Sequence, residues 1–245
     1  MVGMIRHACD KVATEHNLVK YCKEQLGMIR PIELVLRSHD DDGDESTNQH
    51  SMQYVPIMET VKFILGNEDI VSHILQRERK HNHDPDVLCD YTDGEIFKNH
   101  SFYSTESNCI KLQLQFYIDE FEVVNPLGSK RGKHKLSAVY FVIGNIHQKY
   151  RSKLEHIYLC LLVRHAYVES PTNNDRGKTY SYEEILDPLL RDLDVFQTVG
   201  LDVMYQGKKY ISKAPYQHCL QIICLRMMLG GFKKISTPDA CVGCV

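Results

Sequence analysis

Ile110-Lys-Leu-Gln-Leu-Gln-Phe-Tyr-Ile118 alternates apolar and polar side chains and then turns apolar throughout. Alternation at a period of two puts every second side chain on one face, so this stretch predicts a strand entering a core. Asn125-Pro-Leu-Gly128 then reads as a turn. Lys135 to Ile143 (KLSAVYFVI) predicts a second strand, ended by Gly144-Asn145, and His156 to Val163 (HIYLCLLV) predicts a third. Ser181-Tyr-Glu-Glu184 places Ser and Glu three apart, a capping box that opens a helix. The apolar face of that helix is Ile185, Leu186, Leu189, Leu190, Leu193 and Phe196, and Gly200 ends it. Further strands are expected at Leu201 to Tyr205 and His218 to Leu225. Strands and helices in this order predict an α/β domain over 109–245, with α+β as the alternative, in which helices flank a mixed sheet.

Upstream the signals are mostly helical. Ile5 to Met28 carries a broken helical period that stops at Gly27, giving an N-terminal helical segment over 1–37. RSHDDDGDESTNQHSM, from Arg37 to Met52, is acidic and nearly free of apolar residues, and predicts a solvated, mobile loop and a boundary over 38–52. It lacks the spaced ligands and terminal Glu of a calcium-binding EF-hand loop. Tyr54 to Arg79 predicts two short helices within a helical region over 53–108, one with Val55, Met58, Val61, Ile64 and Leu65 on its apolar face. His81 and His83 stand two apart in a charged loop, where solvation explains them better than metal ligation.

The 245 residues are 43% hydrophobic and 25% charged, ordinary for a globular chain and incompatible with wholesale disorder. Lys+Arg 29 against Asp+Glu 32 gives a net charge of −3, so no overall basic excess announces nucleic acid. No apolar run is long enough to span a bilayer, and the first residues have no signal-peptide core, so neither a membrane partner nor secretion is expected. Nine Cys, an odd number, read as reduced intracellular thiols.

Three groups of residues are candidates for chemistry. Asp119, placed at the end of the first strand, has the setting of a magnesium ligand held by a sheet. Alternation puts Glu120 on the opposite face. Between Gly128 and Lys153 stand Lys130, Arg131, Lys133, Lys135, Lys149, Arg151 and Lys153, with no acidic residue among them. If the strands are antiparallel neighbours, one end of the sheet carries a positive field suited to phosphate backbones. A solvated hairpin accounts for the same residues equally well. Cys241 and Cys244 have the spacing of half a zinc site. The chain ends just after them, which reads as a break within a domain. No Gly-x-Ser-x-Gly elbow, phosphate-cradling glycine loop or His-Glu-x-x-His is present.

The succession IDEFEVVNPLGSKRGKHKLSAVYFVIGNIHQKYRSKLEHIYLCLLV, then EEILDPLLRDLDVFQTVGLDV, then GGF and CVGC resembles transposases of the En/Spm (CACTA) superfamily and their animal relatives. The resemblance covers roughly Asp90 to Val245. It implies an RNase H-like fold, incomplete here, and two-metal DNA strand transfer by three carboxylates. Asp119 matches the first of these. The second is expected shortly before Gly230–Phe232, where Gln221 to Leu229 holds no carboxylate, and the third is absent. The expected function is therefore a catalytically inactive transposase derivative with residual non-specific DNA binding, nuclear by resemblance. The alternatives are an active magnesium-dependent strand transferase or nuclease, and a protein-interaction module that docks a partner through the Tyr54–Arg79 helices.

Overall fold

The computed structural model of the chain describes residues 14–36, 50–79, 90, 93–104, 109–123, 134–168 and 179–215. The second strand expected from the sequence is an interior strand. Strand β5 (Lys135–Ile143) pairs antiparallel with β4 (Leu114–Glu122) on one side and with β6 (Tyr158–Arg164) on the other. Its alternate residues Val139, Phe141 and Ile143 meet Ile118, Phe116 and Leu114 on one buried face. The Phe116 and Phe141 rings lie 5.7 Å apart there.

The sheet extends beyond β6 through residues read from the sequence as acidic loop. Ser51 and Met52 belong to strand β2 (Ser51–Tyr54), and Met52 is buried opposite Val163. Strand β1 (Ile32–Val35) pairs antiparallel with β2, completing a five-stranded antiparallel sheet in the order β1-β2-β6-β5-β4. Residues 37–49 lie outside the described residues, as do His81 and His83. The expected helix near the N-terminus is α1 (Glu15–Gln25), capped by the Thr14 hydroxyl. The two helices expected after Tyr54 are α2 (Ile57–Leu65) and α3 (Glu68–Arg79), followed by the short turns α4 (Glu95–Lys98) and α5 (Ser101–Ser104).

The strand quoted first is broken. Cys109–Lys111 forms β3, separated from β4 at Leu112-Gln113. Asn145, expected only as a strand end, causes the bend: its Oδ1 accepts the Gln113 N–H at 2.6 Å and its Nδ2 donates to the Lys111 carbonyl at 2.9 Å. Helix α6 (Gln148–Arg151) lies between β5 and β6, and α7 (Tyr182–Thr198) follows β6. Helix α7 opens on the expected capping box and buries Ile185, Leu186, Leu189, Leu193 and Phe196. It stops before Gly200, whose φ of +83° is left-handed and whose Cβ position would lie 2.7 Å from the Ser212 carbonyl oxygen. Strand β7 (Leu201–Tyr205) follows as expected and turns into β8 (Lys208–Lys213), which pairs parallel with β3. The expected strand at 218–225 lies outside the described residues. The protein is thus mixed α/β, with a five-stranded antiparallel sheet and a three-stranded sheet ordered β3-β8-β7. Among the described residues, no helix is long and apolar enough to cross a membrane.

Candidate functional site

Asp119 is the sixth of nine residues in β4, not its last, because the strand runs on to Glu122. It sits opposite Ala138 and is exposed. Its Oδ1 accepts its neighbour's N–H at 2.9 Å, and its Oδ2 accepts the Tyr140 hydroxyl at 3.4 Å. Tyr117 stacks on Tyr140 on this face, with ring centroids 5.9 Å apart. Strands β5 and β6 contain no Asp or Glu, so neither sets a second carboxylate beside Asp119. Among the described residues, no three His, Cys, Asp or Glu side chains gather where a metal ion fits. Two-metal chemistry needs several carboxylates around ions roughly 4 Å apart. The described residues around Asp119 do not fit a magnesium pair, and Cys241 and Cys244 lie outside the described residues.

Glu120 faces the other way, as alternation requires, and there it meets a group of residues that the sequence does not bring together. Its Oε1 lies 3.3 Å from His165 Nδ1, and its Oε2 lies 3.8 Å from Lys135 Nζ. Ser137 Oγ is 3.0 Å from the same His165 nitrogen. Burial, then the Glu120 charge, pushes the Tyr182 phenol up to about 12. Serine, histidine and carboxylate together suggest nucleophilic catalysis, but the geometry does not. A catalytic histidine uses one nitrogen for the nucleophile and the other for the carboxylate. Here both approach Nδ1, and Ser137 is only 2% exposed. The cluster joins β4, β5 and the 3-10 turn His165–Tyr167, and it is a structural tie.

The basic residues divide. Lys130, Arg131 and Lys133 lie outside the described residues. Lys135 begins β5, whereas Lys149, Arg151 and Lys153 follow its other end. A nine-residue strand spans about 27 Å from first to last residue. Of the described basic residues, Lys135 therefore lies at one end of β5, and Lys149, Arg151 and Lys153 lie beyond the other. Arg151 is also not a free cation. Its guanidinium donates to both oxygens of Asp90, at 3.2 and 2.8 Å, and to the carbonyls of Gly144 at 2.6 Å and Ile146 at 3.1 Å. The two charged side chains are only 15% and 10% exposed.

Lys149 and Lys153 do reach solvent. Their ammonium groups lie 5.7 and 5.1 Å from the Tyr150 ring centre, within the range of cation–π attraction. Tyr150 is half-buried against the core and contacts His73 and His147. Arg151 ties α6 to the backbone at Gly144 and Ile146, and the two lysines flank it in sequence. Lys153 Nζ also lies 3.5 Å from Glu155 Oε1.

Fold and site together define a mixed α/β protein with two exposed lysines beside the Tyr150 ring and an exposed carboxylate, Asp119, on β4. No protein-family model matches the chain, and no curated protein sequence matches it either.

Proposed function

We propose that this chain is a transposase derivative that binds DNA phosphates without sequence preference and does not perform strand transfer. The observation that carries the reading is strand order. The antiparallel run β4-β5-β6 is followed by helix α7 and then by strands β7 and β8, which form a separate three-stranded sheet in which β8 lies parallel to β3. Three consecutive strands, a helix and then a further strand is the chain order that an RNase H-like ancestry implies. Asp119 stands on the first of those strands, without a carboxylate on β5 or β6 to share a metal ion. The cationic turn at Lys149 and Lys153 supports the binding half of the reading.

The test is duplex binding by fluorescence anisotropy across a salt series, together with a magnesium-dependent nicking assay. Contact with about two phosphates gives a slope near −2 in log K against log salt. Lys149→Gln with Lys153→Gln removes most of the salt-dependent binding, and no nicking is seen. Binding indifferent to salt, or nicking that Asp119→Ala abolishes, would overturn the reading.

A further inference from the structure

Glu155 stands two residues beyond Lys153, and its Oε1 lies 3.5 Å from Lys153 Nζ. The same oxygen is 3.7 Å from His156 Nε2, and the Glu155 charge adds to burial in raising the Tyr158 phenol. These three groups, Lys153, His156 and Tyr158, are the titratable neighbours the structure gives it. The carboxylate is 65% exposed and Lys153 is 50% exposed, so water screens the pair and the pair is weak. Weakness is the property a displaceable contact needs. Lys149, by contrast, has the Tyr150 ring and no acidic partner among the described residues.

We propose that Glu155 is a built-in competitor that sets the strength and selectivity of the Lys149–Lys153 phosphate site. In the free protein the carboxylate occupies Lys153. An incoming phosphate oxygen takes its place, and Glu155 swings into solvent. A lone phosphate gains little from this exchange, since it replaces one anion by another at Lys153. A polyanion such as a DNA strand gains more, because it engages Lys149 at the same time. The inference rests on the DNA-binding reading above and names the residue that regulates it.

A double-mutant cycle tests it, with a 20-base-pair duplex as probe in low salt and four proteins: wild type, Glu155→Gln, Lys153→Gln and the double variant. All the changed side chains are at the surface, and thermal melts check that each variant folds. Removing the competitor tightens DNA binding roughly two- to fivefold, the range expected of an exposed ion pair. That gain disappears in the Lys153→Gln background. An equal gain in both backgrounds would mean a general charge effect and would overturn the proposal. So would an unchanged affinity in Glu155→Gln while Lys153→Gln still weakens binding, an outcome that leaves the DNA reading standing. Absence of binding by wild type and Glu155→Gln alike overturns both.

Discussion

Tyr54 Oη donates to Asp192 Oδ2 at 2.6 Å, closing strand β2 onto helix α7 across 138 residues of sequence. The same oxygen accepts the Ile57 N–H at 3.4 Å, so one phenol ties β2, the first turn of α2 and the middle of α7. Removing the hydroxyl leaves a half-buried carboxylate without this donor and a buried N–H without this acceptor. Orphaned buried groups cost about 1–3 kcal/mol each, and the partial exposure of Asp192 lowers its share. Tyr54→Phe should therefore destabilise the protein by about 2 kcal/mol, read as a lower urea midpoint at unchanged slope. Asp192→Asn, which keeps an acceptor, should lose less. Equal stability of Tyr54→Phe and wild type would show that the bond contributes nothing net.

The same burial makes the fold sensitive to alkali. Burial raises the Tyr54 phenol far above the usual tyrosine range, helped by the Asp192 hydrogen bond, and holds Tyr182 at about 12. An unfolded tyrosine ionises near 10. The folded chain thus keeps protons that the unfolded chain gives up, and these tyrosines contribute full stability below about pH 10. The Tyr182 contribution is lost as pH rises through about 12, and that of Tyr54 at still higher pH. Chemical denaturation between pH 9 and 12 should show a steeper decline for wild type than for Tyr182→Phe. Parallel declines would remove Tyr182 from the effect.

Arg151 separates stability from binding. Its planar fork serves Asp90 and two carbonyls at once, which a lysine ammonium cannot copy. Arg151→Ala takes the guanidinium from Asp90 in a largely buried place, and breaking such a pair costs about 3 kcal/mol. Arg151→Lys should recover only part of this. Lys149→Gln should do the reverse, weakening DNA binding while leaving the melting temperature within a degree or two. A melting temperature unaffected by Arg151→Ala would show that its ion pair is not structural.

What the sequence discloses here is what lies close together along the chain. Lys135–Ile143 and the capped helix from Tyr182 are legible because alternation and a capping box are local patterns. The bend at Leu112-Gln113 is not, since Leu112, Leu114 and Phe116 keep their alternation straight through it while Asn145 holds it from over thirty residues away. Strand β8 is hidden for a different reason. Its three lysines among six residues suit a loop, and its strand character comes from pairing with β3 and β7. At the site, Arg151 reads as one more surface cation because Asp90, the partner that withdraws it, is 61 residues away. Glu120, Ser137 and His165 carry no common spacing, so only the sheet register brings them together. Asp119 and the two exposed lysines are the parts of the site that sequence alone reaches.

Ser212 offers a test in which removing a polar group stabilises the fold. It lies on β8 between Leu201 of β7 and Ile110 of β3, it is fully buried, and among the described residues its hydroxyl has no hydrogen-bond partner. A hydroxyl taken out of water without a partner costs about 1–3 kcal/mol on mutational scales. Ser212→Ala removes the hydroxyl and leaves the backbone pairing on both sides intact, at the cost of a void one oxygen in size. The gain should exceed the packing loss, because few contacts of a single oxygen are forfeited. The expected result is a rise of about 1 kcal/mol in unfolding free energy, measured by urea denaturation. Ser212→Asn, which adds bulk and puts two polar groups where one stood at a fully buried point, should destabilise strongly. A loss of stability in Ser212→Ala would mean that the hydroxyl has a partner in the folded protein and that the interior around β8 is wetter than its burial implies.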